Sequence, residues 1–268
     1  MENINIAQVV KNSNSELLNK LPDFAVRILT KIVRQDGINH IINKYSDYEG
    51  VDFLPKVIEE LNLKIEIEGK ENLPDNGKCF FVANHPFGLI DGIILTNTVG
   101  EKYGKLKAIG NDAFKYIPNL KPIIANVNVF GQCSRDYIRE LEKIYASDFP
   151  ITHFPAGLVS RITGGKIQEK SWEKSFIRKA AENQRDIVPI KFYGRNSNLF
   201  YTVYIFRQIF RLKTDIELIL LPREMFKKKN KTIKVKIGKP ISYKSFDKTL
   251  SHKEWAEKLR KQLYQLNL

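Results

Sequence analysis

The sequence predicts an α/β domain with a mainly parallel central sheet flanked by helices. Three observations predict it. Short apolar runs of strand length recur between residues 63 and 194, stretches with helical periodicity separate them, and 268 residues with 43% hydrophobic and 28% charged side chains can bury one sizeable core. A helical segment, residues 1–62, is expected ahead of the α/β domain, residues 63–268, and it is a candidate for contact with a membrane.

In that first segment Leu17, Leu18, Leu21, Phe24, Ala25 and Ile28 recur at helical intervals, as do Phe53, Val57 and Leu61. Lys20, Arg27, Lys31 and Arg34 share the segment, a mixture that suits either a helix lying on a membrane or a layer covering the core. From residue 63 the period changes. KIEIEG alternates as a strand does, and KCFFVA is a short apolar run that reads as a buried strand. A helix is expected over 89–102, then strands LKAIG and PIIANVNV, helix SRDYIRELEKIY, strand PITHF, helix SWEKSFIRKAAEN and strand DIVPIKFYG. Strands alternating with helices give parallel neighbours. The last third holds an aromatic-rich stretch, NLFYTVYIFRQIF, whose expected roles are core packing, an apolar channel or a headgroup interface. A strand, TIKVKIG, and a closing helix, HKEWAEKLRKQLYQL, follow.

Charge narrows the partners. With 44 Lys and Arg against 30 Asp and Glu the chain carries +14, so it is drawn to something acidic: nucleic acid, anionic lipid or an acidic carrier protein. No helix-turn-helix, RNP-type aromatic motif or zinc spacing supports nucleic acid, which is therefore not expected as a partner. No apolar run reaches the roughly 18 residues that span a bilayer, and the N-terminus lacks the pattern of a signal peptide. Cys79 and Cys133 have no metal-ligand spacing and read as small buried hydrophobes in a reducing compartment. The expected location is cytoplasmic, peripheral on the inner face of the cell membrane. No metal and no cofactor is expected.

One stretch carries chemistry. In FFVANHPFGLIDGIIL, residues 80–95, Pro86 disfavours the α region for His85, so the histidine sits in extended backbone past the end of KCFFVA. Gly88 permits a sharp turn, and Asp91 falls in the first turn of the next helix, where the dipole favours a carboxylate. His85 and Asp91 can then meet at the carboxyl end of a parallel strand, the usual place for an α/β site. A carboxylate on one ring nitrogen fixes the tautomer and raises the basicity of the other. Taken alone, the signal is weak, and a hydrogen-bonded structural histidine with a helix-start aspartate is the default reading.

Later blocks change the weighing. Asn84-His85-Pro86-Phe87-Gly88-Leu89-Ile90-Asp91-Gly92 resembles the Asn-His-x4-Asp block of the phospholipid/glycerol acyltransferase superfamily. NVFGQCSRD, with Gly131 and Arg135, is similar to the block that contributes an arginine to the acceptor's phosphate. Phe154-Pro155-Ala156-Gly157-Leu158-Val159-Ser160-Arg161 is similar to the family's Phe-Pro-Glu-Gly-Thr-Arg-Ser. Ile187-Val188-Pro189-Ile190 resembles the fourth block, and Gly238-Lys239-Pro240-Ile241 a common ending. The resemblance covers about residues 63–245. It departs from the family pattern twice: five residues rather than four separate His85 from Asp91, and Ala156 replaces a glutamate while Arg161 lies two places late. Both departures resemble the branch often labelled hemolysin-like, found beside enzymes that acylate amino-acid lipids.

The resemblance implies transfer of a fatty acyl group from a thioester, acyl-ACP or acyl-CoA, to a hydroxyl or amine in membrane lipid biosynthesis. His85 is the implied general base and Asp91 its orienting partner. Glycerol 3-phosphate or a lysophospholipid is the acceptor expected first; N-acylation of a glycine or ornithine lipid, and an inactive lipid-binding relative, are the alternatives. Asn84, Phe87, Gly88, Arg135, Phe154, Pro155, Ala156, Gly157 and Arg161 are the candidate substrate-binding residues, with the backbone N–H groups of Phe87 and Gly88 as candidate oxyanion donors. Arg135 and Arg161 suit an acceptor anion, since a guanidinium fork matches phosphate or carboxylate; each also reads as an ordinary structural arginine. His153 is expected to be a packed strand histidine.

Overall fold

The computed structural model describes residues 3–11, 19–111, 117–127 and 135–268. Among the described residues, four helices precede the first strand: α1 (Ile6–Lys11), α2 (Asp23–Val33), α3 (Gln35–Lys44) and α4 (Phe53–Glu60). The α/β part then runs β1 (Lys64–Glu68), β2 (Cys79–Ala83), α5 (Leu89–Tyr103), β3 (Lys107–Asn111), β4 (Ile124–Val127), α6 (Arg135–Ala146), β5 (Ile151–His153), β6 (Arg161–Thr163), β7 (Lys166–Gln168), α7 (Ser175–Glu182) and β8 (Asp186–Tyr193). It ends with α8 (Asn198–Ile209), a 3₁₀ turn at Ile216–Leu220, α9 (Leu221–Lys227), β9 (Thr232–Ile237) and α10 (His252–Gln265).

Among the described residues, seven strands form one sheet in the order β1-β9-β8-β2-β5-β3-β4. Every neighbouring pair is parallel except β8–β9, which is antiparallel. The α/β architecture with a mainly parallel sheet is thus the one expected. The antiparallel pair arises because β9 follows α8 and α9 without a crossover onto a parallel neighbour of β8.

Placement in the sheet explains the composition of β2. Lying between β8 and β5 with helices over both faces, it has no solvent side, so CFFVA is buried at every position. Phe81 and Ala83 face a core cluster containing Leu54, Leu61, Ile90 and Ile94 from α4, the turn after it and α5. Phe80 and Val82 face Phe176 and Ile177 of α7 with Ala256, Leu259 and Leu263 of α10. The Cys79 thiol is buried and pushed up to about 12 by desolvation, so it behaves as the expected small hydrophobe. Cys133 lies outside the described residues, as does Gly131.

Two elements were not expected. RITGGKIQ is a two-stranded antiparallel hairpin, β6–β7, in which Gly164 (φ 59°) and Gly165 (φ 75°) make the turn; a Gly-Gly pair between short alternating runs is the signal that marks it. The aromatic-rich stretch is helix α8, and its Phe200 and Tyr201 pack with Val159 and Leu220 in a third cluster. Among the described residues no helix is long and apolar enough to cross a membrane.

Candidate active site

The site is built where β2 ends at the middle of the sheet's carboxyl edge. Asn84 continues the strand through its side chain: its Nδ2 donates to the Phe192 carbonyl (2.9 Å), and its Oδ1 accepts from the Phe192 N–H (2.7 Å). The amide thereby ties the chain entering the site to β8.

The next residues make the turn. Gly88 has φ 91° and ψ −110°, a conformation closed to side chains, and a Cβ there would lie 2.8 Å from Leu221 Cδ2. Helix α5 starts directly after it, which sets Asp91 in the first turn. Asp91 Oδ2 accepts from the N–H groups of Phe87 (2.7 Å) and Gly88 (2.9 Å), and lies 3.1 Å from His85 Nδ1. The five-residue interval is therefore absorbed by the turn, and histidine and aspartate meet. Asp91 is 0% exposed, and the His85 side chain 17%. Burial pushes the Asp91 carboxyl above the usual carboxylate range, while the three N–H donors pull it back. With Nδ1 held by the carboxylate, Nε2 is the nitrogen available to a substrate.

The Phe87 and Gly88 amides are thus spent on Asp91, which corrects the expectation that they form an oxyanion hole. The reason is local: the N–H groups of the turn leading into the helix lack intrahelical partners, and the carboxylate at the helix's third position captures them. Phe87 itself is buried, its ring pressed on Gly194 and capped by the Lys228 ammonium 4.4 Å from the ring centroid.

The 154–161 block frames the histidine from the other side. The Phe154 ring stacks on the imidazole with centroids 4.0 Å apart and planes 25° off parallel. Ser160 N–H donates to the His85 carbonyl (2.8 Å). Gly157 (φ 67°) closes the loop by donating to the Phe154 carbonyl (2.9 Å), the Pro155 carbonyl accepts from Glu173 N–H (2.9 Å), and Ala156 packs against the α7 and α10 side of the core. One residue that sequence reasoning passed over completes the frame. Glu169, just after β7 and 1% exposed, accepts the His85 N–H on Oε1 and the Trp172 indole N–H on Oε2 (2.9 Å).

His85, Phe154 and Gly157 line an apolar pocket of ≈ 140 Å³, walled by Ile93, Thr96, Ala108 and Leu120 among others. A second apolar pocket of ≈ 60 Å³ shares Leu54, Ile93 and Leu120 with it and reaches α3 and α4. His153 also borders the larger pocket; burial lowers its pKa to about 4, so it stays neutral, and its ring is tilted 53° to that of Phe176, 6.0 Å away, as a packed strand residue.

Arg161 is placed differently from what the pattern implied. Arg161 is buried, its Nε on Glu217 Oε1 (2.9 Å) and its Nη1 on the Val159 carbonyl (2.7 Å), so the guanidinium is a core group facing Glu217 and does not line the pocket. Arg207 joins it through Glu217 Oε2 (3.1 Å) and also pairs with Asp215. Arg135 is the first residue of α6, and its side chain lies outside the described residues.

Residues 8–268 match the profile of the family described as Acyltransferase. The lyso-glycine lipid O-acyltransferase of Phocaeicola vulgatus is 39% identical over 264 residues, covering 98% of this chain and 95% of that protein. The lyso-glycine lipid O-acyltransferase of Bacteroides thetaiotaomicron is 38% identical over 264 residues, with 98% and 97% covered. Among solved structures, the 1-acyl-sn-glycerophosphate (LPA) acyltransferase PlsC of Thermotoga maritima superposes with a TM-score of 0.49 at 17% identity, over 90% of this chain and 96% of that one.

Proposed function

The chain belongs to the acyltransferase family and is an enzyme of lipid biosynthesis, and from that premise we propose that it transfers a fatty acyl group to the free hydroxyl of a lyso-glycine lipid. The observation that carries the reading is the His85 Nδ1 to Asp91 Oδ2 contact of 3.1 Å at the mouth of an apolar pocket. The relatives' names move the acceptor from glycerol 3-phosphate, expected first, to an acylated glycine, and favour O- over N-acylation.

His85 Nε2 takes the proton of the acceptor hydroxyl as its oxygen attacks the thioester carbonyl; Asp91 keeps the proton of Nδ1 in place and stabilises the imidazolium. Collapse of the tetrahedral intermediate breaks the C–S bond, and the departing thiolate recovers the proton from Nε2. The donor is acyl-ACP or acyl-CoA, and its acyl chain lies along Ile93 and Leu120 toward the second pocket.

An anionic membrane surface is part of the same proposal. Phe24 and Ile28 of α2, with Ile205, Phe206 and Ile209 of α8 and Phe210 after it, are exposed large apolar side chains, and Arg27, Lys31, Arg211 and Lys213 are exposed beside them. Apolar groups that enter the acyl boundary, ringed by cations that meet headgroups, suit a lipid surface.

The test is an assay of purified protein with a long-chain acyl thioester and a lyso-glycine lipid. Wild type is expected to release thiol and form the diacylated product, and His85→Ala to lose that activity. Product formed only with an amine or with glycerol 3-phosphate overturns the acceptor, and wild-type turnover by His85→Ala overturns the base.

A further inference from the structure

We propose that Glu169 is a positioning residue that fixes the backbone of His85 and thereby aims its imidazole at the substrate. This rests on His85 being the base. The imidazole is oriented by Asp91 on one edge and Phe154 on one face, but its origin in space is set by the main chain. That main chain is held at both polar groups: the carbonyl accepts from Ser160 N–H (2.8 Å), and the N–H donates to Glu169 Oε1. The Glu169 link spans 84 residues of sequence, so it is tertiary rather than part of the local turn.

The chemistry around Glu169 calls for a carboxylate. Oε2 accepts the Trp172 indole N–H (2.9 Å), so each oxygen meets a donor that cannot act as an acceptor. An amide in this place would set an NH₂ group against one of those N–H groups. The carboxyl is buried, and its own backbone is fixed: its N–H donates to Tyr264 Oη (3.4 Å) and its carbonyl accepts from Arg260 Nη2 (3.1 Å). A buried acid held this firmly, touching the catalytic histidine only through the main chain, has no place in the proton path itself.

The same surroundings give a titration that can be read. Burial pushes the Glu169 carboxyl up to about 8; the indole and the His85 N–H pull it down, Asp91 from α5 raises it, and Arg260 from α10 lowers it. Tyr264 of α10 stays a neutral phenol, raised by its own burial. Ionisation of Glu169 strengthens its hold on the His85 N–H, so turnover in wild type rises as pH passes through about 8.

The experiment compares Glu169→Gln, Glu169→Asp and Trp172→Phe in the same acylation assay, with kcat and KM resolved across pH. Expected for Glu169→Gln is a kcat lower by about 10²-fold with little change in KM for donor or acceptor, since a misplaced base harms the chemical step. The rise near pH 8 is expected to vanish in Glu169→Gln. Glu169→Asp, which keeps the charge, is expected to recover part of kcat. Trp172→Phe removes one donor to the carboxylate and is expected to move the rise to higher pH; it tests the proposal even where Glu169→Gln fails to fold. Wild-type kcat in Glu169→Gln, or an unmoved pH profile in Trp172→Phe, overturns it. If His85→Ala were fully active, the underlying reading would fall instead, so the two failures are distinguishable.

Discussion

Asp91 Oδ2 sits 3.1 Å from His85 Nδ1 while also accepting the N–H groups of Phe87 and Gly88, so a single carboxylate oxygen holds both the imidazole and the turn between the two residues. Replacing Asp91 with Asn puts an amide among three donors and lets the imidazole choose the wrong tautomer. The expected outcome is a kcat about 10²- to 10⁴-fold lower, measured by steady-state thiol release.

Gly88 is where the longer His–Asp interval is accommodated. Gly88→Ala forces a side chain into φ 91° and against Leu221 Cδ2 at 2.8 Å. A loss of about 1–3 kcal/mol is expected in urea denaturation. Turnover per folded molecule should drop as well, because Asp91 is set by the same turn.

Arg161 and Glu217 test the difference between an acceptor anchor and a core pair. Glu217→Gln leaves the buried Arg161 guanidinium uncompensated and is expected to cost about 3–5 kcal/mol of stability. In the folded fraction KM for the acceptor should be unchanged. A raised acceptor KM without lost stability would return Arg161 to the binding site.

His153 makes stability depend on pH. Its folded pKa of about 4 lies below the ordinary 6.5, so between these values the unfolded chain binds a proton that the folded protein refuses. That stability is present above pH 6.5 and is lost as pH falls toward about 4, at up to about 1.4 kcal/mol per pH unit. His153→Leu is expected to flatten this part of the curve, followed by denaturant titrations at several pH values.

What the sequence makes legible here follows from how local each cause is. β2 reads as a buried strand because its burial on two faces leaves a continuous apolar run, and the turn at Pro86 and Gly88 reads from two residues with restricted or extended backbone freedom. The direction of β9 does not read, since pairing partners are not written in a strand's own residues. The site divides the same way. His85 and Asp91 are six positions apart and visible together, whereas Glu169 meets His85 across 84 residues and Arg161 meets Glu217 across 56. A buried ion with a distant partner looks, in sequence, like any surface charge. The oxyanion assignment failed for a subtler reason: the amides were located correctly, but the aspartate claimed them first.

The side-chain link between Asn84 and the Phe192 backbone has a consequence in time. The ribosome makes the histidine more than a hundred residues before the strand that braces it, a delay of roughly 5 to 20 seconds at ordinary elongation rates. Throughout that interval the emerging polypeptide carries the His85 imidazole without the strand to which Asn84 ties it. A fragment released before β8 should be inert toward thioesters, and birth of activity should coincide with completion of the sheet.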